Sequence, residues 1–213
     1  SSVLQRIGSS DPRFVLRVIL TGSTGRATAL TPLDVGGDRF ADEYPRTVVE
    51  IEKPFWLGTT EVTNEQYRCF NPAHDSRYID QHSKDHTTPG YPANEPLQPV
   101  IRVSWNDALA FTQWLSEKLQ VPCTLPTEAQ WEWACRAGTD SPFYYGGPDT
   151  DFSAFANLAD LSTRKLAVAG VNPQPIANAN RFQEFFPKDA RFDDGQRIVC
   201  ADGMYEPNVC GLC

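Results

Sequence analysis

The chain of 213 residues contains one methionine, three histidines and no run of lysine or arginine long enough to form a basic stripe. That missing stripe, with a formal net charge of -8 and a pI near 4.9, argues against a nucleic-acid or anionic-membrane partner. Long apolar runs are missing as well. The longest candidate, FVLRVIL at Phe14 to Leu20, is interrupted by Arg17 and has the length of a strand, so no membrane span is expected. No Asn-X-Ser/Thr acceptor occurs, so glycosylation says nothing about secretion. Cysteine is present but sparse, at Cys69, Cys123, Cys135, Cys200, Cys210 and Cys213, which excludes a dense disulfide scaffold and leaves the redox compartment open. The lone Met204 and a leading SSVLQRIGSS without a charged or apolar signal region point to a processed chain or an excerpt.

What is present reads first as helix starts. Thr63-Asn64-Glu65-Gln66, Ser104-Trp105-Asn106-Asp107 and Thr127-Glu128-Ala129-Gln130 each place a hydroxyl at an N-cap and an acid or amide three residues later. The hydroxyl accepts from an orphan amide and the later side chain reaches back, so each predicts a capping box. The first helix is expected over Asn64 to Phe70, ended by Asn71-Pro72. The second is expected over Trp105 to Leu119, with Trp105, Ala108, Phe111, Leu115 and Leu119 as its apolar face. The third runs from Thr127 to a left-handed cap at Gly138. Strands are expected at Arg13 to Leu20 and Thr47 to Ile51, a polar Pro-rich loop from Asn71 to Pro99, and little regular structure beyond Phe143. Such a mixture is an α+β chain.

Four stretches carry a resemblance: PFWLGTTEVTNEQYRCF, QPVIRVSWNDALAFTQWLSEKL, LPTEAQWEWACRAGT and PFYYGG, in this order and spacing. Together they resemble the formylglycine-generating enzyme family, the sulfatase-modifying factors, with weaker support from FANLAD, DDGQRIV and GMYEPNVCGL. The resemblance covers residues 33–213, a C-terminally incomplete domain, and leaves residues 1–32 as an unmatched arm or strand segment. It implies a C-type lectin-like fold with few helices, small antiparallel sheets and much irregular chain. It also implies a sulfatase or other client polypeptide as partner, whose cysteine in a Cys-X-Pro-X-Arg sequence is oxidised to formylglycine. Family enzymes do this with copper(I) on two thiolates, soft ligands suited to a soft ion. Those thiolates belong to segments beyond the match, so no catalytic residue carries over, and copper is expected only where such cysteines exist. The alternative expectation is a non-catalytic lectin-like binding module.

The resemblance further implies a structural calcium ion, held by Asn157 and Leu158 of FANLAD and by Asp194 and Gln196 of DDGQ. Hard oxygen donors from two distant loops suit calcium, though Asn157 and Asp194 also read as turn caps. Cys210 and Cys213 have the spacing of a redox dithiol, but without its usual strand and helix they read better as structural. Cys69, Cys123 and Cys135 are expected as small buried hydrophobes. Trp131 and Trp133 cannot share one helical face, and Glu132 with Arg136 is expected as a surface ion pair. His82 and His86 lie in a polar loop whose Pro89-Gly90 makes a shared helical face unfavourable for zinc.

Overall fold

The computed structural model describes residues 16–19, 26–28, 48–79, 90–166, 168–169, 174–175 and 189–213. His82, His86 and most of the 1–32 arm lie outside them. In chain order the elements are β1 (Leu16–Ile19), β2 (Arg26–Thr28), β3 (Val48–Glu50), β4 (Phe55–Gly58), α1 (Asn64–Phe70), β5 (Tyr78–Ile79), β6 (Tyr91–Pro92), α2 (Trp105–Leu119), α3 (Glu128–Arg136), a 3-10 helix at Leu161–Leu166, β7 (Val168–Ala169) and β8 (Gln174–Pro175). Among the described residues every paired strand is antiparallel, in two-stranded sheets β1-β4, β2-β3, β5-β6 and β7-β8. This is the mixed, helix-poor architecture expected. All three capping boxes form: Thr63, Ser104 and Thr127 each accept from the amide three residues on, and Gln66, Asp107 and Gln130 each accept from the N-cap amide.

The chain divides into two compact units. One takes in the chain up to Thr60, Ser104–Thr150 and Pro207–Cys213. Its described core is Ala134 of α3 and Leu212, with Phe55, Leu57, Trp133 and Cys210 packed against them. Asn208 ties this core together. Its amide Nδ2 donates to the carbonyls of Ala134 (2.9 Å) and Cys135 (3.3 Å), while its Oδ1 accepts from the amides of Cys210 (2.9 Å) and Leu212 (3.3 Å). The end of α3 and the 207–213 segment are therefore held by one side chain.

Within this unit the helices depart from the sequence reading in four places. Trp105 is 67% exposed, outside the apolar face that buries Phe111, Thr112 and Leu119. It is the first residue of α2, and helical side chains lean toward the N-terminus, so it projects past the helix start. Trp131 and Trp133 do fall on different faces as expected, Trp133 packing inward while Trp131 is 58% exposed. Glu132 is buried, so its 2.9 Å pair with Arg136 is an interior ion pair, with Arg136 also donating to the Ser141 carbonyl at 3.1 Å. Cys135 is exposed rather than core, because the side of α3 that meets Leu212 carries Ala134 and Trp133, and Cys135 lies about 100° and 200° round the helix from them. Finally the left-handed turn that closes α3 begins at Ala137 (φ 51°), one residue before Gly138 (φ 88°).

The second unit takes in Glu61–Val103 and Asp151–Glu206. Asn64, fully buried at the start of α1, organises its first half. Its Nδ2 donates to the carbonyls of Ala93 (3.1 Å), Glu95 (3.0 Å) and Gln98 (3.0 Å), and its Oδ1 accepts from the buried Ser76 hydroxyl at 2.7 Å. The Asn64 amide also donates to the Gln98 carbonyl at 3.0 Å. A loop that must turn inward without strand partners thus finds its acceptors satisfied by one amide side chain. In the second half Phe152, buried, meets Phe192 edge-on with ring centroids 5.4 Å apart.

Asn64→Ala should cost about 3 kcal/mol in urea unfolding, since three carbonyls, those of Ala93 and Gln98 in buried bonds, lose a donor together and the buried Ser76 hydroxyl loses its acceptor. Asn64→Asp, which keeps the shape but faces those oxygens with a carboxylate, should be at least as damaging. A loss under about 1 kcal/mol for Asn64→Ala would show that the loop is held by something else.

Candidate metal centre

The 3-10 helix and the turns before it bring residues 157–163 against residues 193–198 by hydrogen bonds. Asn157 Nδ2 donates to the Ile198 carbonyl at 2.8 Å and to Cys200 Sγ at 3.6 Å. The Leu158 amide donates to Asp194 Oδ2 at 3.1 Å, and the Leu158 carbonyl accepts from the Asp160 amide at 2.8 Å. Asp194 Oδ1 accepts from the Gln196 amide at 2.7 Å, and the Gln196 carbonyl accepts from the Ser162 hydroxyl at 2.5 Å. Asn157, Leu158, Asp194 and Gln196 therefore lie on two segments that are bonded to each other.

Two acids enter that the sequence reading did not single out. Asp160 is fully buried; its Oδ1 accepts from the Ser162 amide at 2.8 Å and its Oδ2 accepts from the Asp194 amide. One carboxylate oxygen from each of Asp160, Asp193 and Asp194 lies within 4.8 Å of the others. Both newcomers sit inside the quoted FANLAD and DDGQ, so the signal was the acid three residues after Asn157 and the doubled acid before Gly195. What the sequence does not reveal is that the two stretches meet, 34 residues apart between Asp160 and Asp194.

Electrostatically the cluster is unbalanced. Among the described residues no lysine or arginine forms an ion pair with Asp160, Asp193 or Asp194. Burial pushes the Asp194 carboxyl above the usual carboxylate range, and the neighbouring Asp160 charge adds to it. Hydrogen bonds from Gln196, Leu158 and the Tyr205 hydroxyl, the last at 3.3 Å, work the other way. Tyr205 in turn has its phenol pushed up, first by burial and then by Asp194 and Cys200, so it stays a neutral donor. Three converging carboxylates and nearby carbonyls are the oxygen donors that a hard divalent cation takes, and such an ion would offset the repulsion they create.

The thiols have the opposite character. All six cysteines are free. Cys69 Sγ donates to the Glu65 carbonyl at 3.2 Å and Cys123 Sγ to that of Val121 at 3.4 Å, contacts of half-buried structural thiols. Desolvation pushes the Cys123, Cys135 and Cys210 thiols up, at Cys135 through the groups around its sulfur although the residue as a whole is exposed, with the Arg136 guanidinium partly opposing this. The thiolate is the nucleophilic form, so these three thiols are less reactive at neutral pH than an unperturbed cysteine.

A family model described as the sulfatase-modifying factor enzyme 1-like domain matches residues 18–213, and the chain belongs to that family. Its relatives include the formylglycine-generating enzyme of Bos taurus, 31% identical over 119 residues, 56% of this chain and 25% of that protein. That of Mus musculus is 43% identical over 114 residues, 54% of this chain and 23% of that protein. The inactive C-alpha-formylglycine-generating enzyme 2 of Bos taurus is 42% identical over 60 residues, 28% of this chain and 18% of that protein. The match thus spans about a quarter of the length of the formylglycine-generating enzymes of cattle and mouse. The solved structure of PvdO from Pseudomonas aeruginosa superposes with a TM-score of 0.62 at 23% identity, covering 98% of this chain and 70% of that one, which shows a shared fold.

A raised native pKa means that the folded state holds the Asp194 proton more tightly than the unfolded chain. Its contribution to stability therefore falls as pH rises above the ordinary value of about 3.9 and is fully unfavourable at neutral pH. In chelator, the unfolding midpoint of Asp194→Asn should vary less with pH between about 4 and 7 than that of the unchanged chain, whatever its absolute value. Parallel profiles would show that the carboxylate carries no such penalty.

Proposed function

We infer that this chain supplies the calcium-ordered scaffold of a formylglycine-generating-enzyme-like domain, with the C-type lectin-like architecture that the family resemblance implies, and that the thiols described in it are not its redox centre. The observation that carries this reading is the convergence of the Asp160, Asp193 and Asp194 carboxylates without a cationic side chain paired to them among the described residues. Calcium would take oxygens from that set, from Asn157 Oδ1 and from the Leu158 and Gln196 carbonyls. Its part is to neutralise charge and lock two irregular segments together. Those segments lack the periodic structure that would otherwise fix them, and an ion bridging them adds binding energy directly to stability.

The chain's own residues then do the positioning. Ser162 and Asp160 fix the first segment, Gln196 and Tyr205 fix the orientation of the Asp194 carboxylate, and Asn157 sets the spacing to Ile198. The client suited to such a domain in the whole protein is a sulfatase polypeptide carrying Cys-X-Pro-X-Arg. A second reading, a non-catalytic binding module on the same fold, is favoured by the raised Cys123, Cys135 and Cys210 thiols and by the similarity to a relative named as inactive.

Saturating calcium should raise the unfolding temperature of the chain over that in chelator by roughly 5–10 °C, and magnesium should do less. Asp160→Ala and Asp194→Ala should each remove the calcium response while remaining folded by circular dichroism. An unchanged midpoint at saturating calcium would defeat the scaffold reading. Separately, incubation with copper(I), oxygen and a Cys-X-Pro-X-Arg peptide should yield no aldehyde by mass spectrometry; aldehyde formation would mean that thiols of this chain do form the redox centre.

A further inference from the structure

In the unit that holds Asn64, well apart in sequence from the acidic cluster, Asn71, Ala73, His74, Asp75, Arg77 and Arg102 line an open cleft of about 500 Å³. Two of its arginines share an unusual backbone. Arg77 (φ 59°) and Arg102 (φ 62°) are both left-handed, a conformation that non-glycine residues seldom adopt and that costs of order 1 kcal/mol or more each. Surrounding bonds enforce it. The Arg77 amide donates to Asp75 Oδ1 at 2.8 Å and the Arg77 carbonyl accepts from the Ala93 amide at 2.9 Å. His74 Nε2 lies 3.0 Å from the Ile101 carbonyl, and Ser76, fully buried, binds both Asn64 and Ile101. The cleft wall is thus fixed in advance.

The guanidiniums are deployed differently. Arg102 is pinned, with Nε donating to the Ser76 carbonyl at 3.2 Å and Nη2 to that of Tyr78 at 3.1 Å, leaving Nη1 uncommitted. The Arg77 guanidinium makes no hydrogen bond or ion pair among the described residues and acts on Asp75 only through its field. One carboxylate opposes them: Asp75, whose Oδ1 also accepts from Asn94 Nδ2 at 3.0 Å. Those bonds, the Arg77 amide's first, hold the Asp75 carboxyl below its usual range, so it stays charged. Two arginines against one aspartate still leave the lining net positive on a chain of formal charge -8. Two guanidiniums carried on a fixed backbone, one of them pinned, are matched to oxyanions, which they bind through charge-assisted and forked hydrogen bonds. The volume lies within the range of roughly 300–1,000 Å³ common for small-molecule sites, larger than an inorganic anion requires.

We propose that this cleft is a ligand subsite for an oxyanion group, a carboxylate, sulfate or phosphate borne by a small molecule, with Arg77 as its mobile clamp and Arg102 as its fixed one. The probes are sodium sulfate, phosphate and acetate, titrated into the intact chain at constant ionic strength and followed by nitrogen-proton NMR. At least one should give saturable shifts at Ala73, His74, Arg77 and Arg102. A response to acetate alone identifies a carboxylate, and a response to sulfate or phosphate a tetrahedral ester. Because Arg102 also ties two carbonyls, the decisive variant is Arg77→Gln, which removes no hydrogen bond described here and should weaken binding about tenfold. Asp75→Asn should tighten it a few-fold by removing the opposing charge, and Lys53→Gln should change nothing. No saturable shift with any of the anions, or equal affinity in Arg77→Gln and the unchanged chain, would overturn the proposal.

Discussion

With so little helix and such short strands among the described residues, buried backbone groups must find partners by other means, and this constraint governs each part of the structure described. Sheets of two strands satisfy only a few residues each. The rest falls to side chains whose amides both donate and accept. Asn64 does this for three carbonyls and a hydroxyl, and Asn208 for two carbonyls and two amides. Each replaces what a strand partner would give elsewhere, and neither can be exchanged for an apolar residue of similar size without stranding buried polar atoms. Burial of Asn64 is thus a consequence of how its loop folds, not an exception to burial rules.

The same logic extends to charge. The pair Glu132–Arg136 is interior, and Arg136 spends a further donor on Ser141, so the turn after α3 is anchored from within the helix. Such a pair contributes less net stability than its distance suggests, because both ions leave water, but removing either partner alone strands the other. The acidic cluster near Asp160 differs in having no cation of its own among the described residues. Where Glu132 has its cation supplied by the next helical turn, the cluster has only backbone amides and hydroxyls to offset its charge, and that imbalance is what the proposed ion would relieve.

Much of the helical structure was legible in the sequence because its signals are local. Thr63, Ser104 and Thr127 with their partners three residues on specify capping boxes within a single turn, and those boxes form. The family was legible because long stretches such as LPTEAQWEWACRAGT keep their order. What was not legible depends on packing between distant segments. Periodicity placed Trp105 on the apolar face of α2, but nothing in the sequence reports that its side chain extends beyond the helix start. Glu132 and Cys135 lie only about 60° apart on a helical wheel, which would favour the cysteine for burial, and only the neighbours of α3 decide that Glu132 goes in and Cys135 stays out. Asp160 joined the candidate site only through its bond to the Asp194 amide across the chain.

Asn208 has one further consequence. Because a single amide holds the last turn of α3 on one side and the Cys210–Leu212 backbone on the other, neither can open without releasing its partner. The two form one cooperative unit, in which the exchange of amide hydrogens at Cys210 and Leu212 reports the local unfolding of a helix end more than seventy residues earlier in the chain.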